Sequence, residues 1–246
     1  MSSLRTGILL SAVLAAGSIS AQPSPSALGS GSQPETEASP AAGAIAPDLG
    51  PPGGNHVFGV LPNYRTADAS LEGTVLTARQ KLTIATKDSF DYPLLLLGGA
   101  FAGLGQLTDQ QPSFGQGLKG YGHRFVTNYA DQALGNMFTE GVYPVLLHED
   151  PRYFRRGTGS IVRRTGYALT RVFVTHKDSG GTRFNYSEWL GNASAVAISN
   201  AYYPDNRTLV DNGTKLLIQV GTDATSQVLK EFWPDIKRKW FHKGPG

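Results

Sequence analysis

Between residues 121 and 148 the chain carries two registers at once. Ala130, Leu134, Met137, Phe138, Gly141, Val142 and Val145 recur at intervals of three and four, an apolar stripe, while Arg124, Asn128, Gln132, Asn136 and Glu140 recur every four. Both repeats fit one α-helix seen from two sides. A ladder turned to water is the simpler expectation, but amides in place of the usual Lys and Glu also fit a half-buried polar seam. Pro144 is expected to kink or end the helix.

Other stretches extend the pattern. "GTVLTARQKLTIATKDS" spaces Leu76, Leu82 and Ile84 among polar residues as a moderate helix. "YPLLLLGGAFAGLGQL", Tyr92 to Leu107, offers Pro93 for a first turn and Gly99 and Gly103 in GxxxG spacing. At about 24 Å it falls short of the roughly 30 Å hydrocarbon layer, which predicts a buried hairpin helix rather than a span. "SEWLGNASAVAISNAYY" aligns Gly191, Ala195 and Ser199 for close packing. Pro204 then breaks the chain and Asp205 offers a helix cap. The clearest amphipathic helix follows, with Leu209, Leu216, Leu217, Val220, Ala224 and Val228 expected inward and Asp211, Lys215, Gln219 and Gln227 outward. The prediction is a mainly α fold: a compact bundle of about five to six helices with glycine and small-residue packing faces.

Composition adds a destination. Residues 1–21 run from Arg5 through an apolar core to small residues at Ser18, Ser20 and Ala21, the order of parts in a secretory signal peptide. Residues 22–54, rich in Pro, Ser, Gly and Ala, read as a disordered linker ahead of a helical domain over 55–246. Export to the periplasm or to a membrane-associated place in the cell envelope is therefore expected. The chain has no cysteine, which excludes disulfides, thiolate chemistry and a lipid-modified cysteine. Its formal charge of +3 is too slight to imply nucleic acid.

Short motifs add little chemistry. "GQGLKGYG" contains GxGxxG, but "TDQQPSF" before it is no strand, so Gly115 to Gly122 reads as a flexible loop. His148 and Glu149 begin like HExxH, yet the position four on is Arg152. No GxSxG occurs and the five histidines have no ligand spacing, so neither cofactor nor metal is expected.

The densest stretch is "LHEDPRYFRR". One reading is structural, with its acids capping a helix and Arg152, Arg155 and Arg156 forming ion pairs or lying against Tyr153 and Phe154. A second is an enzyme acting on an anionic envelope component, with His148 as general acid or base, Glu149 or Asp150 orienting it and the arginines holding substrate. A third takes in Arg163 and Arg164 and the tail around Lys237, Arg238 and Trp240 as a surface for anionic membrane or for another envelope protein. The preferred expectation is non-enzymatic binding.

The blocks "LHEDPRYFRRGTGS", "FNYSEWLGNASAVAISNAYYPDNRT" and "VLKEFWPDIKRK" resemble those of an uncharacterised family of exported bacterial proteins, over roughly Asn55 to Lys239. The resemblance implies an exported, mainly helical protein. It carries over no activity, cofactor or catalytic residue.

Overall fold

The structure is a computed structural model and describes residues 43–47, 51, 54–57, 61–205 and 207–241. The proposed signal peptide and most of the proposed linker lie outside these residues. The folded unit begins ahead of residue 55, however: Gly43 and Ala46 donate backbone hydrogen bonds to Gly73 and Val75, and Ala46 is buried.

The architecture is mainly α. Helix α1 (Ala78–Ser89) starts on a capping box in which Thr77 and Gln80 satisfy each other's backbone donors. Helix α2 (Tyr92–Leu107) starts at the Asp91 cap and is followed by α3 (Gly117–Asn136). A π-helical turn (Met137–Val142) and α4 (Tyr143–Leu147) continue α3 without a break, until His148 ends the run in the left-handed region at φ 53°. Helices α5 (Ile161–Thr170), α6 (Tyr186–Ser199) and α7 (Leu209–Phe241) complete the set. The sequence pattern gave no warning of α5.

Three small sheets lash the loops together. Strands β1 (His56–Val57) and β2 (Leu61–Pro62) form an antiparallel pair. Strand β3 (Thr66–Asp68) pairs in parallel with β5 (Tyr153–Arg155), and β4 (Glu149–Asp150), β6 (Val174–Lys177) and β7 (Thr182–Phe184) form one antiparallel sheet.

Small residues set the closest approaches. Gly191, Ala195 and Ser199 are all buried on α6, as expected. A Cβ on Gly191 would lie 2.6 Å from Thr139 Cγ2, so α6 rests directly on the π turn. Helix α2 forms a hairpin with α3 through the buried Leu94, Gly98, Ala102 and Gly105 together with Gly99, whose carbonyl accepts from Tyr121 Oη, but not through Gly103. Nothing stands within 4 Å of where a Cβ of Gly103 would be. The run Gly115 to Gly122 is not a loop: Gly117 opens α3, and Arg124 holds the preceding turn through the carbonyls of Gln110, Gln111 and Gly115. Asp205 caps no helix. It accepts from Ser113, and Thr208 forms a reciprocal pair with Asp211 at the start of α7.

The largest correction concerns α7, where Val220 is buried as expected but other positions of the stripe turn the opposite way. Leu209 is 90% exposed and Leu217 65%, whereas Gln227 is 3% exposed and Glu231 0%. Along α3 the polar ladder is the half-buried seam rather than a face turned to water: Arg124 and Glu140 are buried and Asn128, Gln132 and Asn136 half-buried, as is most of the apolar stripe beside them. On α2 the outer face carries Leu95, Leu96, Phe101 and Leu104. The physical reason is that much of the interior consists of ionic and hydrogen-bonding groups that satisfy one another, leaving large apolar side chains outside. Among the described residues no helix is long and apolar enough to cross a membrane.

Candidate functional site

The segment 147–160 is an ionic clamp on the second half of α7. Its centre is Glu231, fully buried, whose carboxylate accepts from Tyr153 Oη at 2.6 Å, Arg164 Nε at 2.7 Å and the backbone N–H of Arg156 and Gly157 at 3.0 Å each. The Glu231 carbonyl accepts from Arg155 and Arg164. One turn on, Asp235 pairs with Arg155 at 2.9 Å and with Arg164 at 2.6 Å. Gly157 sits in the left-handed region at φ 69°, which brings its N–H to the carboxylate without the steric cost a side chain would add.

The acids ahead of the clamp are also engaged. Glu149 accepts from Arg183 at 2.7 Å and from the backbone N–H of Ser187 at 2.8 Å, placing a carboxylate at the N-terminus of α6. Asp150 holds Arg152, which also donates to Thr74. His148 is exposed and lines none of the three cavities described. The three residues of the catalytic reading are therefore not brought together around one space. Of the cations of the surface reading, Arg152, Arg155 and Arg164 point into ion pairs. Arg156 lies over the Tyr167 ring at 5.8 Å. Arg163 and Arg238 are exposed, and Lys237 is half-buried on α7. The side chain of Trp240 lies outside the described residues.

A second cluster escaped the sequence reading. Asp88 on α1, Glu140 in the π turn, Glu188 on α6 and Asp223 on α7 approach one another around two cations, Arg65 and Lys230. Arg65 donates to Glu140 at 3.2 Å, and Asn192 donates to Glu188 at 3.3 Å and to Asp223 at 3.1 Å. Burial, with Asp88 beside it, pushes the Glu140 carboxyl well above its ordinary range despite Arg65 and Lys230. Burial and then Asp223 do the same to Glu188. Burial pushes Lys230 down; burial acts on Arg65 in the same sense, but Glu140, Glu188, Asp223 and Asp88 together outweigh it and keep the guanidinium charged.

Burial and a second acid beside each of them favour the protonated form of Glu140 and of Glu188. Among the described residues no three acids or histidines are grouped to hold a metal. The only signals in sequence were Glu140, the end of the polar ladder, and Gln227, whose amide donates to the Ala168 carbonyl and accepts from Arg65.

This cluster sets a pH dependence. The native state keeps protons on Glu140 and Glu188 that the unfolded chain releases near the ordinary glutamate value of 4.5. Above that value the unfolded state binds fewer protons, so stability falls as pH rises towards neutrality, by up to about 1.4 kcal/mol per pH unit for each retained proton. Lys230, lowered by burial, acts in the opposite sense between its lowered value and the ordinary lysine value. Asp235 is desolvated, yet its arginines hold it below its usual range, so its contribution is lost on the acid side. Urea midpoints are expected to decline from about pH 5 to 7.5, and Glu188→Gln should flatten the decline. A midpoint rising over that range in the native protein would contradict the retained protons on Glu140 and Glu188.

No family model, curated protein or solved structure matches the chain.

Proposed function

We propose that the protein is a non-enzymatic, membrane-associated protein of the cell envelope that seats apolar helix faces against a lipid surface. The observation that supports this most is the inverted polarity: Leu95, Leu96, Phe101 and Leu104 on α2, and Leu209, Val210, Leu217 and Ile218 on α7, are exposed while acids and bases fill the interior. Single exposed leucines are ordinary on any protein, but runs of them along whole helix faces are not. Buried ionic networks fit the same reading, because charges turned away from lipid must satisfy each other. The exposed Ile161 and Val162 beside Arg163 add apolar side chains next to a cation, a combination suited to headgroup depth.

This reading differs in emphasis from a basic surface held by anionic lipid. Most of the arginines in the dense stretch are spent inside the molecule, so attraction should come mainly from apolar contact and should survive salt. The test is co-sedimentation of purified protein with neutral phosphatidylcholine vesicles, with and without 20% anionic lipid, at about 0.05 and 0.5 M salt. Binding to neutral vesicles at both salts, weakened about tenfold or more by a Leu217→Gln/Ile218→Gln double variant, is expected. Binding that needs anionic lipid and disappears in salt would move the contact to exposed cations such as Arg163 and Arg238. No binding to either vesicle would overturn the lipid reading.

A further inference from the structure

Helix α1 presents two faces. Lys81, Ala85 and Asp88 are buried, with Ala85 seated against Gly141 of the π turn. The adjoining face, Gln80, Ile84 and Lys87 at intervals of four and three, instead lines a cleft of about 600 Å³. Tyr64, strand β3 and the turn that holds Leu71 supply further lining, and Pro47 and Pro51 bring in the N-terminal segment. The other two cavities described offer about 20 and 10 Å³, room for a water at most, whereas this one has the size of a small-molecule site.

Hydrogen bonds outside the cleft hold its walls in place. Gln80 Nε2 donates to the Ala46 carbonyl at 3.0 Å, and Ile45 pairs with Val75, so the segment that carries Pro47 is tied to α1 and to the chain just before it. Arg152 donates to the hydroxyl and carbonyl of Thr74, and β3 is fixed by its pairing with β5. Walls set in this way lose little conformational freedom when a ligand enters.

The chemistry changes from mouth to floor. Arg79, Thr83 and Lys87, four residues apart on α1, are exposed, whereas Leu71 and Ile84 are half-buried and Ala67 and Leu76 buried. Apolar side chains therefore lie deepest and cations outermost. The Arg79 guanidinium makes no hydrogen bond or ion pair among the described residues, and the Lys87 ammonium, 5.7 Å from the centre of the Tyr64 ring, has no carboxylate partner there. Arg152 is neutralised by Asp150, and Asp68, the one carboxylate among the described lining residues, accepts from the Ser70 N–H. An inorganic anion would leave the apolar floor unused, and a cationic amphiphile would meet like charge at the mouth.

We propose that this cleft binds a single-chain amphiphilic monoanion, its carboxylate drawn to the rim of Arg79 and Lys87 and its apolar body lying on Leu71, Leu76 and Ile84. None of the described lining belongs to α2 or α7, so the site does not rest on the lipid reading.

The test is calorimetric titration of the full chain with dodecanoate and, in parallel, with dodecyltrimethylammonium, each below its micellar concentration and at equal ionic strength. Expected is saturable binding of a single dodecanoate, with the cationic surfactant weaker by about tenfold or more. Arg79→Gln/Lys87→Gln should weaken dodecanoate about tenfold and remove the preference between heads, and Leu71→Gln should weaken it by a similar factor. The two cations are exposed and outside any ion pair described, so the double variant keeps the fold. Equal affinity for the two surfactants in the native chain, or no saturable binding of either, would overturn the proposal. Several dodecanoates per chain, indifferent to Leu71→Gln but reduced by Leu217→Gln/Ile218→Gln, would overturn it as well and assign the contact to the exposed face of α7.

Discussion

Glu231→Ala is expected to destabilise the protein by about 3–5 kcal/mol, because removing one partner of a buried ionic network strands the others. The loss is concentrated at one residue. The Tyr153 hydroxyl, the Arg164 Nε and the N–H groups of Arg156 and Gly157 all lose their acceptor at once. Domains of this kind are stable by about 5–15 kcal/mol, so about a fifth or more of the total is at stake. Glu231→Gln should cost less, since one oxygen still accepts while the amide nitrogen faces donors. Urea unfolding of the two variants checks the order. If Ala and Gln cost the same small amount, within about 0.5 kcal/mol of the native protein, Glu231 is not the centre of the clamp.

Lys81→Met carries the second large effect. The ammonium of Lys81 is buried and donates to the carbonyls of Pro144 at 3.1 Å and Glu149 at 2.8 Å and to Asp178 Oδ2 at 2.6 Å. It therefore ties α1 to the end of α4, to β4 and to the turn after β6. Met preserves the stem and removes the three donors, leaving two carbonyls and a carboxylate to be desolvated without compensation, at a cost of about 2–4 kcal/mol. Pairing it with Asp178→Asn should cost clearly less than the two changes separately, by about 1 kcal/mol or more, since the stranded charge is gone. Strict additivity in that cycle would mean that the ion pair contributes nothing.

How much of this was legible in the chain depends on the kind of force at work. Helices α2 and α6 could be read closely, because Pro93 in a first turn, and the line Gly191, Ala195, Ser199, are local signals with local causes. The inversion of α7 could not. Assigning Leu217 inward and Gln227 outward assumes an oily interior, and that assumption fails where the interior partners are Arg65, Arg164 and Asp88. The dense stretch was open to a structural reading as well as a catalytic one, and the ion pairs of Arg152 and Arg155 are what the structural reading describes, whereas Arg164, read as part of a binding surface, joins the same network. What no spacing rule supplies is that their acceptors are Asp150, Glu231 and Asp235, the last two some seventy residues away. The π turn hid Glu140 in a further way, because an extra residue in one turn rotates everything after it off the regular helical period.

The clamp also dictates an order of events during synthesis. Arg164 precedes its acceptor Glu231 by 67 residues, and Tyr153 precedes it by 78. While a nascent chain is still short of α7, the guanidinium groups of Arg155 and Arg164 have no counter-ion, and the groove that α7 will fill stands open. Contacts this distant along the chain form late and slowly. Folding therefore waits for the end of the polypeptide: a chain truncated before residue 231 is not a smaller version of the domain but one denied its closing step.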